Sequence, residues 1–209
     1  MPRAYFFDLD DTLINTIATK TEAIQYVVKK YYDTDISSER IRSVWGKPFR
    51  DLMAELAPKG ANLDELIAHY KTERENFPSY AYLNTIETLT ELSKNAVLGI
   101  VTSHTRVFIH SDLEAAHIPE DLFALILTAE DTKFHKPDPR VFDKVLALCE
   151  SRGIEKDDIL YVGDSLIDYQ AAHDAGIPFI GIHSHTAPKE TFYHLGIQTI
   201  GDIKELVTV

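Results

Sequence analysis

From residue 85 to the C-terminus, short apolar runs take turns with stretches of helical spacing, and this alternation leaves few folds open. Residues 85–94 carry a helical pattern, and 96–101 form a near-continuous apolar run ending at Thr102 and Ser103. A helix is predicted over 106–116, a strand over 122–127, and a helix over 139–150 with proline near its start, where proline is tolerated. A strand follows over 159–162, then a helix over 166–175 that stops at Gly176, then a strand over 178–182. Residues 197–206 predict a short strand and a helix. Strands that are apolar on both faces and separated by helices belong to a parallel sheet covered on both sides. The expected fold class is therefore α/β, a doubly wound parallel-sheet (Rossmann-like) core, with residues 4–8 as its first strand.

Between that first strand and the rest, the pattern is helical throughout. Ile17, Ala23, Ile24, Val27, Val28 and Tyr31 suit one helix face, and two further helices are predicted on either side of Pro58-Lys59-Gly60. No strand is predicted in this stretch. The domain expectation is an α/β catalytic core of residues 1–14 and 83–209 and an inserted all-helical cap of residues 15–82. A chain of 209 residues can carry both.

In open parallel sheets, ligands sit beyond the carboxyl ends of the strands. Asp8 and Asp10 end the first strand, Thr102 and Ser103 the second, and Asp164 the strand over 159–162, with Asp168 four residues on. Lys136 lies in the loop His135-Lys136-Pro137-Asp138. Each has a plain structural alternative: Asp164 and Thr102 as helix caps, Lys136 as a solvated loop lysine, the Asp8–Asp11 segment as a surface turn. Together they deliver acids, a hydroxyl and a lysine to one edge. Carboxylates can hold Mg²⁺ beside a substrate phosphate, attack phosphorus and move protons. Hydroxyl and backbone N–H donors can hold the phosphoryl oxygens. The net charge of −12 argues against nucleic acid and anionic membranes as partners, and means an anionic substrate needs a metal or local cations.

Four segments in order resemble the haloacid dehalogenase superfamily in its phosphatase branch, with phosphoglycolate phosphatase-like and β-phosphoglucomutase-like members. They are Asp8-Leu9-Asp10-Asp11-Thr12, Val101-Thr102-Ser103, Lys136-Pro137-Asp138-Pro139 and Val162-Gly163-Asp164-Ser165-Leu166-Ile167-Asp168. The resemblance implies Asp8 as nucleophile, Asp10 as acid/base, and Thr102 and Lys136 as phosphate holders. It implies Mg²⁺ on Asp8, Asp164 and the backbone carbonyl of Asp10, with Asp168 in or near the metal shell. An acid at position 10 implies phosphatase or phosphomutase chemistry, since the dehalogenase branch lacks one there. Sugar phosphomutases of the family carry a cap histidine where this chain has Lys20, which weakens the mutase alternative. Lys20 itself reads as a surface helix lysine.

Trp45-Gly46-Lys47-Pro48-Phe49-Arg50 is similar to a Gly-containing turn facing the site in phosphoglycolate phosphatases, so Gly46, Lys47 and Arg50 are candidate leaving-group contacts. His104 is placed at the site mouth, and His183 and His185 share a strand face but lack an evident third zinc ligand. The single cysteine, Cys149, reads as core filler, and with no disulfide possible and no signal peptide or membrane span visible, a cytoplasmic protein is expected. The resulting expectation is a Mg²⁺-dependent phosphatase of a small phosphorylated metabolite. The alternatives are a β-phosphoglucomutase-like phosphomutase and a non-catalytic phospho-accepting or regulatory relative. Receiver domains of response regulators, the nearest such class, lack a helical insertion after the first strand. Phosphoglycolate, a sugar phosphate, a nucleotide and pyrophosphate all stay open as substrates.

Overall fold

The computed structural model describes residues 1–45, 47–183 and 189–208, excluding the side chains of Lys189 and Thr191. Strand β1 (Ala4–Phe7) is buried at every residue. Its alternate side chains feed two cores: Tyr5 and Phe7 pack on one face of the sheet, Ala4 and Phe6 on the other. Beyond β1 the chain runs through β2 (Ile14–Asn15), α1 (Ile17–Tyr32), α2 (Ser38–Arg42), α3 (Phe49–Leu56) and α4 (Leu63–Glu73), and returns through β3 (Tyr80–Ala81). There follow α5 (Thr85–Leu92), β4 (Val97–Val101), α6 (Arg106–Ala115), β5 (Leu125–Leu127), α7 (Asp143–Ser151), β6 (Ile159–Gly163), α8 (Leu166–Ala175), β7 (Phe179–Ile182), α9 (Lys189–Tyr193) and β8 (Thr199–Ile200).

The main sheet has the order β5-β4-β1-β6-β7-β8, with every described pairing parallel. Both neighbours of β1 therefore come from later in the chain, and the sheet winds outward in two directions from it. This is the doubly wound α/β core that the alternation predicts. Close packing at its centre needs Gly99, because a Cβ there would lie 2.3 Å from Phe6 Cε1 and 2.9 Å from the Leu125 carbonyl oxygen. Cys149 is buried in the core on the Phe6 face, a small hydrophobe as expected.

Two local differences from the sequence expectation have physical causes. The stretch expected to be all-helical is bounded by a two-stranded antiparallel ribbon, with Ile14 opposite Ala81 and Asn15 opposite Tyr80. Two-residue strands are too short to show a period of two. The strand expected over 122–127 is shortened, because Glu120–Leu122 winds into a 3₁₀ turn ahead of β5.

Helices α1 to α4 bury their own apolar cluster, built on Ile24, Val28, Ile41, Met53, Leu66 and Tyr70, and Phe108 of α6 joins it. Neither core of the main sheet draws a buried residue from positions 15–88. Among the described residues, no helix is long and apolar enough to cross a membrane.

Candidate active site

Asp8 directly follows β1, and its N–H still donates to the Val162 carbonyl (2.9 Å), so the nearest acid is fixed by the sheet itself. The chain then turns at Asp11, whose φ of 58° is left-handed. Asp11 Oδ1 accepts the N–H groups of Thr16 (3.2 Å) and Ile17 (3.0 Å), tying the start of α1 to the end of β1. Burial pushes its carboxyl up to about 6. Thr102 follows β4, its N–H donating to Leu127 O (2.9 Å) and its Oγ1 accepting the His104 N–H (3.1 Å). Asp164 follows β6, buried at 5% exposure. The parallel register thus sets three polar segments, after β1, β4 and β6, along one edge.

Lys136 reaches this edge from the loop after β5. Its Nζ donates to Asp8 Oδ1 (2.9 Å), Asp168 Oδ1 (2.6 Å) and the Tyr161 hydroxyl (3.1 Å). Lys136 stays charged although buried, because Asp168 and Asp8 outweigh the desolvation and hold its pKa well above the usual value. Asp168 is anchored in turn: Oδ1 also accepts from Tyr161, and Oδ2 accepts from the N–H and hydroxyl of Ser165 in a capping box at the start of α8. Gly163 makes room for it, since a Cβ there would meet Asp168 Cβ at 2.6 Å. Burial raises the Asp8 carboxyl above its usual range; Lys136 opposes this, and the charges of Asp168, Asp164 and Asp10 add to it.

Asp10 has a different environment. Its Oδ1 accepts from Lys20 Nζ (2.8 Å), and its Oδ2 lies 3.2 Å from His104 Nδ1. Burial opposes ionisation, but Lys20 and His104 outweigh it and hold Asp10 far below the ordinary carboxylate range. Burial and Lys20 press His104 toward neutrality, yet Asp10 and Asp112 prevail and raise its pKa. The His104 Nε2 is in ion-pair contact with Asp112 Oδ2 at 2.8 Å, and Asp112 also pairs with Arg74. Lys20, part-buried, and His104, buried, are therefore partners of Asp10; this corrects the expectation of a surface lysine, while His104 lines the cavity as expected but from a buried position.

These groups border a cavity of about 370 Å³ between the strand edge and helices α1, α3 and α4. Asp8, Asp10, Thr102, Ser103, Lys136 and Asp164 all line it, and so do Lys20, Arg42, Trp45 and Lys47. A sequence model described as haloacid dehalogenase-like hydrolase matches residues 5–182, spanning β1 to β7. The chain belongs to this family. It is 31% identical over 192 residues to a phosphoglycolate phosphatase of Photorhabdus laumondii, covering 86% of this chain and 80% of that protein. It is 29% identical over 184 residues to the pyrophosphatase PpaX of Anoxybacillus flavithermus, covering 84% of this chain and 81% of that one. Among solved structures, one described as a haloacid dehalogenase-like hydrolase from Bacteroides fragilis superposes with a TM-score of 0.79 at 26% identity, over 99% of this chain and 100% of that one.

In this haloacid dehalogenase-like hydrolase, the candidate leaving-group contacts part company. Lys47 lines the cavity and pairs with Glu55. Arg50 does not line it: the side chain is 62% exposed and bonds Asp64 at 2.8 Å, because the step of about 100° from the lining Phe49 to the next residue of α3 turns it to the outer face. Gly46 and His185 lie outside the described residues. His183 is half-buried beside β8, its N–H donating to Ile200 O at 3.1 Å. Among the described residues, the one group of acids, histidines or cysteines spaced for a metal is Asp8, Asp164 and Asp168, whose ligand atoms lie within 4.8 Å of one another.

That donor set fits a hard divalent cation such as Mg²⁺: it is all carboxylate oxygen, three acids beside one lysine. Both oxygens of Asp168 already accept hydrogen bonds, so its clearest work here is to anchor Lys136.

Proposed function

We propose that this hydrolase is a Mg²⁺-dependent phosphatase of small phosphorylated metabolites, working through an aspartyl-phosphate on Asp8. One observation carries the reading: Asp8, fixed to the sheet and bonded by Lys136 at 2.9 Å, opens on the same cavity as Asp10, Thr102 and Asp164. Its phosphatase and pyrophosphatase relatives support it.

Asp8 attacks phosphorus with a carboxylate oxygen, and the ester P–O bond breaks. Asp10 passes a proton to the departing oxygen. A phosphoryl dianion placed beside Asp10 raises its proton affinity, because like charge disfavours the ionised form. Water then attacks the phosphorus on Asp8, Asp10 takes up a water proton, and the P–O bond to Asp8 breaks to release inorganic phosphate. Lys136 keeps Asp8 aimed, while the Thr102 hydroxyl, Ser103 and nearby N–H groups hold the equatorial oxygens. Asp8, Asp164 and the backbone carbonyl of Asp10 would hold Mg²⁺, with Asp168 just behind. When bound, the ion supplies positive charge that offsets the crowded carboxylates and the phosphoryl oxygens. Helices α1 to α4 act as the cap that excludes water and meets the leaving group.

Hydrolysis of aryl phosphates, phosphoglycolate and pyrophosphate, each with Mg²⁺ and with chelator, tests this. Asp8→Asn is expected to lower turnover about a thousandfold or more while the fold is kept. Acid-quenched wild type is expected to carry a hydroxylamine-sensitive phosphoryl group that the variant lacks. Full activity in Asp8→Asn, or in chelator, overturns the mechanism.

A further inference from the structure

The cavity above Asp8 and Asp10 carries its acids and Lys136 along the strand edge and a largely apolar wall on the other side. Opposite the strand edge, its wall is Ile24, Trp45, Phe49, Leu52, Tyr70 and Phe108. Three of the aromatic rings brace one another: Phe49 stands 5.1 Å from Tyr70 and 5.8 Å from Phe108, and Tyr70 stands 6.4 Å from Phe108. These are tilted and edge-to-face pairs, so the wall is a packed surface before any ligand arrives. The volume of about 370 Å³ lies in the range of sites that enclose an organic molecule of some size.

Two of the three cations on this side are already paired. Lys20 is bonded to Asp10 at 2.8 Å and Lys47 is paired with Glu55. Arg42, the remaining cationic lining residue of the helical side, is exposed. A second anionic group next to the transferred phosphoryl group would thus meet mostly aromatic carbon, with Lys20 and Lys47 already paired and only the exposed Arg42 left to it, and desolvating a charge without a close partner is costly. An uncharged flat body in the same place would remove the aromatic wall from water, which is favourable.

Resting on the phosphatase reading, we propose that the preferred substrates are phosphate monoesters whose leaving group is an uncharged aromatic or similarly flat apolar body. Pyrophosphate and phosphoglycolate, which carry a second charge beside the phosphoryl group, are the poorer substrates.

Aryl esters are intrinsically more reactive, so binding is separated from reactivity with phosphonates, which cannot be hydrolysed. Calorimetric affinities for naphthylmethylphosphonate, methylphosphonate and phosphonoacetate are measured in Mg²⁺ on wild type, Phe49→Ala and Trp45→Leu. Naphthylmethylphosphonate is expected to bind at least about tenfold tighter than methylphosphonate, the scale of burying part of one ring. That ratio is expected to fall about fivefold in either variant; Trp45→Leu keeps an apolar wall without its flat face, should Phe49→Ala not fold. Phosphonoacetate binding as tightly as the naphthyl compound, or a ratio that both variants leave untouched, overturns the proposal. If phosphoglycolate and pyrophosphate are nonetheless turned over best, the phosphatase reading survives and this inference does not. If the aromatic preference appears but no ester is hydrolysed, the phosphatase reading is what fails.

Discussion

Asp10 sits between two cationic groups, and Lys20 is the one that can be removed with least disturbance. The Lys20 ammonium is 2.8 Å from Asp10 Oδ1, 3.1 Å from His104 Nδ1 and 5.7 Å from the centre of the Trp45 ring. Methionine keeps the length and the apolar stem while deleting the charge. With Asp10 as the proposed acid/base, Lys20→Met is expected to lower kcat by about tenfold to a hundredfold, since misplacing such a group forfeits part of a 10²–10⁴ effect. Steady-state kinetics on an aryl phosphate measure it, and an unchanged kcat would remove Lys20 from the machinery. The sequence held a signal for this residue. Lys20 falls three after Ile17 and four before Ile24, on the stripe that is buried in α1, and a lysine inside such a stripe needs a partner. The acids at the strand ends were legible because strand termini are marked by an abrupt change from apolar to polar. Which residues of the helical stretch face them was not, as Arg50 demonstrates: a helix shows its period in the sequence but not its rotation toward a neighbour.

At the scale of elements, a chain of buried ion pairs links the end of α4 to the acid pair. Arg74, in the 3₁₀ turn that follows α4, pairs with Asp112 of α6, donates to Ser111 Oγ at 3.2 Å and stacks 4.1 Å above the Phe108 ring. The Asp112 side chain is only 4% exposed. Burial raises its pKa, but the hydrogen bond and charge of His104 and the charge of Arg74 prevail and lower it. A carboxyl depressed in the folded state contributes stability that is complete above its unfolded value of about 3.9 and is lost as pH falls through the folded value. Arg74→Ala raises the folded value and shrinks that contribution. The variant is expected to lose about 2 kcal/mol or more at neutral pH, as for a buried pair deprived of one partner. The gap to wild type should narrow as pH falls below about 4 and close only below the depressed folded value of wild-type Asp112, where the group is neutral in both. Urea midpoints across that range measure this, and a gap independent of pH would assign the loss to Phe108 packing instead. Little of this link is written in the sequence. Helix α6 was legible from its spacing, but the partner of Asp112 lies 38 residues away, and pairing over that separation leaves no local pattern.

At the scale of the whole molecule, the chain leaves the sheet and comes back at nearly the same point. Asn15 and Tyr80 are opposite one another in the β2–β3 ribbon, joined by a 2.8 Å hydrogen bond from Asn15 Nδ2 to the Tyr80 hydroxyl, and the Thr19 and Ser79 hydroxyl oxygens are 3.4 Å apart. The change of hydrophobic style at either end of the helical stretch made the insertion legible. The ribbon that closes it was not, because two residues per strand carry no period. The cores on the two faces of the sheet take no buried side chain from the helical stretch, so the sheet does not depend on it for burial. Replacing residues 19–78 with a short Gly-Ser linker therefore joins neighbouring points at little loop-closure cost. It also spares Thr16 and Ile17, whose N–H groups hold Asp11. The shortened chain is expected to unfold cooperatively in urea, with a smaller m-value because less surface is buried. Phe108 becomes exposed, so Phe108→Ser is included to keep the protein soluble. Lys20 and the aromatic wall leave with the helices. Phosphate release should accordingly fall steeply, and the difference in affinity between aromatic and methyl phosphonates should vanish. A chain that shows no cooperative transition would mean that the helices are part of one folding unit with the sheet. A folded chain that still discriminates between the phosphonates would place leaving-group recognition on the strand edge instead.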